Sequence, residues 1–239
     1  MTQMILAREL ARSLAGLTWV WRITSFAGGK SVGFYGSAEQ KRRHLPAIAA
    51  GREKWAIGFT EPGGGTDVLG ALRTSATRAD GGWVINGQKT WSSMAHVADY
   101  ILLLVRTTRE VARPSQGVSL FILPTASAGV TIREIPKLGM RALGSCDVFL
   151  DDVFVPDENL LGEPDRAWKM LLPTLNNERI MLSSFSQPGI EVRGHVPQIS
   201  SIRSRCMVVN VGLTYLVTQT WSRKPRGMRD DTLWLRVRM

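Results

Sequence analysis

Between residues 54 and 156 the sequence breaks into short apolar segments separated by turn residues, with no helix-length pattern among them. "KWAIGFT" (54–60), "LRTSATRA" (72–79), "WVINGQKTW" (83–91), "DYILLLVRT" (99–107), "GVSLFILP" (117–124), "VTIREI" (130–135) and "DVFLDDVFVP" (147–156) all have strand length. "DGG" at 80–82 turns the chain, and the Asn86-Gly87 pair suggests a tight hairpin turn. Six or more short strands without helices between them imply an antiparallel barrel or sandwich.

The flanks change period. Ile5, Leu6, Leu10, Leu14 and Leu17 recur at helical spacing. "SAEQKRRHLPAIAAG" (37–51) predicts a second helix, with Ser37 as cap, Gln40 three residues on, and Gly51 as stop. After Pro156 the pattern is helical again. Trp168, Leu171, Leu172, Leu175 and Ile180 share a stripe within 165–185, which Pro173 would interrupt.

Several function classes are excluded or unsupported. The longest apolar run, "YILLLV" (100–105), falls far short of the ~20 residues of a membrane-spanning helix. Arg8, Glu9 and Arg12 interrupt the N-terminal apolar residues, which argues against a secretory signal. Cys146 and Cys206 form neither a metal spacing nor a disulfide framework, and three scattered histidines do not make a metal site. No metal is expected, and a reducing cytoplasmic compartment is the default. The net charge of +10 raises a nucleic-acid reading, but nine Lys/Arg against three Asp/Glu lie after residue 186. The excess belongs to the tail.

"IGFTEPGGGTDV" (57–68) holds three consecutive glycines. A phosphate-gripping loop needs Lys-Ser/Thr and a helix next, whereas Thr66-Asp67 and a strand pattern follow here. A dinucleotide fingerprint also needs a helix after its glycines. A plain inter-strand loop remains open beside a ligand-lining one. Gly63, Gly64 and Gly65 would let a flat ligand approach backbone amides, with Thr60 and Thr66 as hydroxyl donors.

"FTEPGGGTD" resembles the acyl-CoA dehydrogenase signature. "GFYGSAEQKRRHLPAIAAGREKWAIGFTEP", "WVINGQKTWSSMAHVADYILLLVRT" and "LGMRALGSCDVFLDDVFVPDENLLG" are similar to that family's flanking blocks, in the family's order. The resemblance covers roughly residues 5 to 185. It implies an α+β multidomain fold: a partial N-terminal helical domain (1–53), an antiparallel β-barrel middle domain (54–160), and the first helix of a C-terminal helical bundle (161–186).

The resemblance also implies chemistry. FAD would bind between the middle and C-terminal domains, and an acyl-CoA thioester would be dehydrogenated between Cα and Cβ. A carboxylate would take the α proton, and the flavin would take a hydride. Ile57, Phe59, Thr60, Gly65, Thr66, Trp91, Ser92 and Ser93 fall at cofactor-lining positions. Thr66, Thr107, Asn176 and Arg179 fall where the family meets substrate. In most of the family the base comes from late in the C-terminal domain; Glu178 stands where the isovaleryl type and one long-chain type carry it, and its plain alternative is a helix-surface charge. Trp91 has an alternative too, as a core aromatic of the hairpin. Electron-transfer flavoprotein or a similar acceptor, and homo-oligomerisation as a dimer or tetramer, come with the family. Two other readings stay open: an oxidase or monooxygenase of the same superfamily, and a non-catalytic remnant.

From about residue 187 the match ends. A shifted reading frame is the favoured origin of this basic tail, ahead of a short native extension or a basic binding segment. Missing aromatic-basic interleaving argues against nucleic acid.

Overall fold

The computed structural model describes residues 15–139 and 143–176, together with the two-residue strands Val209–Asn210 and Leu213–Thr214. The helical pattern over residues 2–16, the second half of the 165–185 pattern and the rest of the basic tail lie outside these residues.

Three helices precede the sheet: α1 (Ala15–Thr24), α2 (Ser31–Tyr35) and α3 (Ala38–Ala49), with a π-helical turn, Ser25–Lys30, between the first two. The start of α3 forms as its sequence predicts. Ser37 Oγ accepts from the Gln40 N–H (3.1 Å), and Gln40 Oε1 accepts from the Ser37 N–H (2.9 Å). The buried Gln40 amide also donates to the carbonyls of Glu158 and Leu160, tying the helix start to the far end of the middle domain. Gly51 takes φ +70 just past the helix, where a glycine carries no Cβ penalty.

Eight strands follow in one sheet: β1 (Trp55–Gly58), β2 (Ser75–Ala79), β3 (Gly82–Ser93), β4 (Tyr100–Arg106), β5 (Val118–Pro124), β6 (Val130–Glu134), β7 (Ser145–Pro156) and β8 (Leu160–Leu161). The pairing order is β6-β7-β3-β2-β4-β5-β8, with β1 alongside β4. Most pairs are antiparallel. β1 runs parallel to β4, and β2 meets β4 in parallel at Ser75 and Arg106. The α+β architecture thus stands, with a parallel element the strand count alone did not indicate.

The apolar run of β4 has a physical reason. Ile101, Leu103 and Val105 face the interior of the sheet with Phe121, Val148 and Val153. Leu102 and Leu104 face the other way, packing with Phe26, Val32, Trp55, Leu120 and Met170. Both faces are covered, so both must be apolar. Residues 167–176 form the helix α4, whose Ala167, Met170 and Leu171 join this second core. The helix runs on through Pro173.

One expected turn is not a turn. Asp80-Gly81 connects β2 to β3, with Gly81 at φ +68. Asn86-Gly87 lies inside β3, where the register to β7 shifts between Ile85 and Gly87. It is a bulge: Asn86 Nδ2 donates to Asp152 Oδ1 and Asn86 Oδ1 accepts from the Asp152 N–H, both at 2.8 Å. Gly87 has φ +147 and presses against Thr74. The same residue types that favour left-handed turns also favour bulges.

Candidate functional site

The glycine-rich stretch forms a turn. The Gly64 N–H donates to Glu61 O (3.1 Å), closing Glu61-Pro62-Gly63-Gly64. Gly64 is required there, since a Cβ would lie 2.5 Å from that of Ala71. Thr66 and Asp67 follow on the surface, and Asp67 Oδ1 accepts from the Gly70 N–H (2.9 Å). Of the two readings of the glycines, the turn holds locally, and it holds Thr60 beside β3.

That placement rests on one backbone bond. The Thr90 N–H donates to Thr60 O at 2.9 Å. At this point β3 carries a second bulge, since Lys89 pairs with Val148 but Ser92 with Cys146. Two residues, Thr90 and Trp91, therefore oppose Asp147 alone. Trp91 sits at φ +57, a conformation that strains a bulky side chain, and is 52% exposed. Its reading as a core aromatic is thereby overturned: the bulge turns the indole outward. Beside it, Ser92 Oγ is buried and has no hydrogen-bond partner among the described residues. Ser93 closes the strand, half-buried. The Thr90–Thr60 bond thus sets Thr60 beside the stretch of β3 that carries Trp91, Ser92 and Ser93, the candidate wall.

The remaining expected residues distribute around it. Ile57 packs partly buried between two core clusters. The Phe59 side chain joins the second core, and its carbonyl accepts from Lys89 Nζ at 3.5 Å. Gly65 is half-buried in the loop after the turn. Thr107 lies at the end of β4, where its hydroxyl donates to Asp165 Oδ1 (2.5 Å) and meets Ser119 Oγ (2.7 Å). A cavity of about 500 Å³ opens next to it, lined by residues that include Thr108, Glu110, Gln116 and Asp165. Asn176 is exposed at the last described position of α4. Glu178 and Arg179 lie outside the described residues.

Sequence reasoning missed a buried ion pair under this wall. Lys89 is fully buried and Glu61 5% exposed, with Nζ and Oε1 2.8 Å apart. Glu61 also accepts from the N–H groups of Arg73 (2.6 Å) and Thr74 (2.9 Å). Burial pulls the Lys89 ammonium down to about 8, against the opposing pull of Glu61. For Glu61, burial alone would raise the carboxyl, but Lys89 and the Thr74 and Arg73 donors hold it below its ordinary value. Both of its oxygens are occupied, so Glu61 is unsuited to act as a general base. The signal was present in the sequence: a Lys two residues before Trp91 and a Glu one residue after Thr60, each inside a motif.

Among the described residues no cluster of His, Cys, Asp or Glu could hold a metal, and no helix is long and apolar enough to cross a membrane.

Comparisons with known proteins place these elements. Two family models match: "Acyl-CoA dehydrogenase, N-terminal domain" over residues 1–52 and "Acyl-CoA dehydrogenase, middle domain" over residues 56–153. The chain is 43% identical over 152 residues to acyl-CoA dehydrogenase FadE26 of Mycobacterium tuberculosis, covering 63% of this chain and 37% of that protein. It is 39% identical over 150 residues to acyl-CoA dehydrogenase FadE34 of the same organism, covering 63% and 21%. A solved steroid ACAD, Tcur3481-Tcur3483, matches with a TM-score of 0.64 at 37% identity, over 69% of this chain and 42% of that one. A glutaryl-coenzyme A dehydrogenase solved with glutaryl-CoA matches with a TM-score of 0.73 at 29% identity, over 79% and 48%. The chain thus spans well under two thirds of the length of these relatives.

Proposed function

Since the chain belongs to the acyl-CoA dehydrogenase family, over that family's N-terminal and middle domains, we propose that it supplies the flavin-facing wall of an FAD-dependent dehydrogenase acting on the Cα–Cβ bond of acyl-CoA thioesters. The observation that carries this reading is the outward Trp91 at φ +57, beside Thr60 and the unpartnered Ser92 hydroxyl. A strained aromatic at a bulge and an orphaned donor fit a wall completed by a flat ring with hydrogen-bond acceptors.

Bound FAD would supply the acceptor for the hydride leaving Cβ. This chain's residues would do the rest by position. Thr60, Ser92 and Ser93 would offer hydroxyls and amides to the polar edge of the ring, and Trp91 would flank it. Ile57 and Phe59 would back the wall, and the turn through Gly65 would let the ring approach. Thr66, Thr107, Asn176 and Arg179 would face the acyl-CoA. Glu178 is the proposed base for the α proton: a carboxyl in an apolar pocket gains basicity from desolvation. The proposal includes an electron-transfer flavoprotein or similar acceptor, a homo-oligomeric assembly, and a reducing cytoplasmic setting.

The test is reconstitution with FAD, followed by anaerobic titration with a series of acyl-CoA thioesters. Quenching of flavin fluorescence on binding, weakened by Thr60→Ala, and bleaching of the flavin absorbance by one class of acyl-CoA are expected. Absence of quenching at millimolar FAD sinks the reading. Bleaching that survives unchanged in Glu178→Gln removes Glu178 as the base.

A further inference from the structure

The ion pair beneath the wall is an unusual choice for a core. Replacing a buried pair by apolar residues of similar volume is often neutral or stabilising. Stability alone therefore gives no reason for a fully buried lysine in β3. Its location offers another. Lys89 is the last residue of β3 paired with β7 before the bulge that carries Trp91. Glu61 follows Thr60 and opens the Pro62-Gly63 turn. One residue away, the Thr90 N–H meets Thr60 O, so the side-chain pair and the backbone bond form two adjacent rungs between the segments. On the other side of the bulge, Thr90 Oγ1 donates to Asp147 Oδ1 at 2.6 Å. The Glu61 carboxylate is itself fixed by the Arg73 and Thr74 N–H groups, from the chain leading into β2. Three segments converge on one carboxylate, and its orientation is over-determined.

We infer that Glu61 and Lys89 are positioning residues: their ion pair locks the Glu61–Gly64 turn to the β3 bulge, and so sets Thr60 and Trp91 in a common register as a flavin-facing wall. The inference rests on the flavin reading for its ligand. It goes beyond it in assigning the geometry of the wall to a pair that contacts no ring. A strained residue such as Trp91 keeps its conformation only where the surroundings impose it. The pair and the Thr90–Asp147 bond are what impose it here.

The experiment uses the full chain and three changes: Lys89→Met, the double Glu61→Leu with Lys89→Met, and the mild Glu61→Asp. Two site readouts are taken beside the melting temperature. One is amide hydrogen exchange at Gly64, Thr74 and Thr90; the other is FAD affinity from flavin fluorescence. The double variant is expected to melt close to the unaltered chain, yet to bind FAD about tenfold or more weakly, the scale that small misplacements reach. Its Thr90 amide is expected to exchange faster. Glu61→Asp, which keeps the charge but shortens its reach, should shift FAD affinity and Thr90 exchange in the same direction with little change in melting. A double variant with both stability and FAD affinity intact would overturn the inference. So would a Glu61→Asp chain with unchanged Thr90 protection, a result that stands even if Lys89→Met fails to fold. Should the unaltered chain not bind FAD, the flavin reading falls, while the exchange at Gly64 and Thr90 still decides whether the pair sets the register.

Discussion

Two polar corners of the sheet invite comparison. At the end of β4, Asp165 accepts from the hydroxyls of Thr107 and Thr108, and its own N–H donates to Ser119 Oγ. Thr107 further donates its N–H to Gly117 O. At the end of β3, Trp91 stands half-exposed and Ser92 Oγ has no partner among the described residues. Both corners hold a non-glycine residue at positive φ: Asp165 at +62 and Trp91 at +57. An Asp tolerates this region because its short side chain bonds locally, whereas a Trp does not. One corner satisfies its donors within the fold. The other carries strain and an unmet donor, and reads as a place for a ligand. Resemblance assigned both Thr107 and the Trp91 wall to ligand contacts; Thr107 has its hydroxyl bonded within the fold, and Ser92, among the described residues, does not.

The largest expected effect lies under the wall. Lys89→Met leaves the Glu61 carboxylate buried beside two N–H groups only, and should cost about 3–5 kcal/mol in denaturant unfolding. The acid limb sharpens the point. Glu61 is held below its ordinary value, so its contribution is fully present above about pH 4.5 and is lost as pH falls through its depressed folded value. Glu61→Gln should accordingly flatten the decline of stability with acid. An equally steep decline in that variant would place the acid sensitivity elsewhere.

Next in size is the self-satisfied corner. Asp165→Ala removes the charged acceptor of the Thr107 and Thr108 hydroxyls, while Thr107 keeps its contact with Ser119 Oγ, and should destabilise by about 1–3 kcal/mol. FAD affinity should be unchanged within error, because no donor of the Trp91 wall is touched. A loss of FAD affinity matching that of a wall variant would erase the distinction between the two corners.

How much of this was legible in the residues follows from which physics is local. The α3 capping box and the run of β4 were readable, because caps and apolar periodicity act over a few residues. The Asn86-Gly87 bulge was not, since a turn and a bulge demand the same left-handed freedom and only the partner strand separates them. The parallel seat of β1 beside β4 depends on contacts about 45 residues apart in sequence, beyond any local pattern. Thr60 and Trp91 were singled out through resemblance, and the bond that brings their segments together, from the Thr90 N–H to Thr60 O, is a backbone one with no side-chain signature. Glu61 and Lys89 stayed hidden because each, read singly, looks like a surface charge. Only their convergence within the fold makes them a pair.

The smallest expected change in stability belongs to Trp91 itself, and it separates architecture from site most cleanly. Trp91→Gly removes the partly buried indole, which costs contacts, but also relieves a positive φ that disfavours a bulky residue by roughly 1–2 kcal/mol. The two terms oppose each other, so the net change in unfolding free energy should lie within about 0.5 kcal/mol of zero, as for surface positions that make no structural bond. FAD affinity should nonetheless fall about tenfold, since the flanking indole is gone. At Asp165 the order is reversed: stability falls and affinity holds. If Trp91→Gly unfolds the chain as readily as Lys89→Met does, the indole is part of the core after all, and the contrast between the two corners fails at its centre.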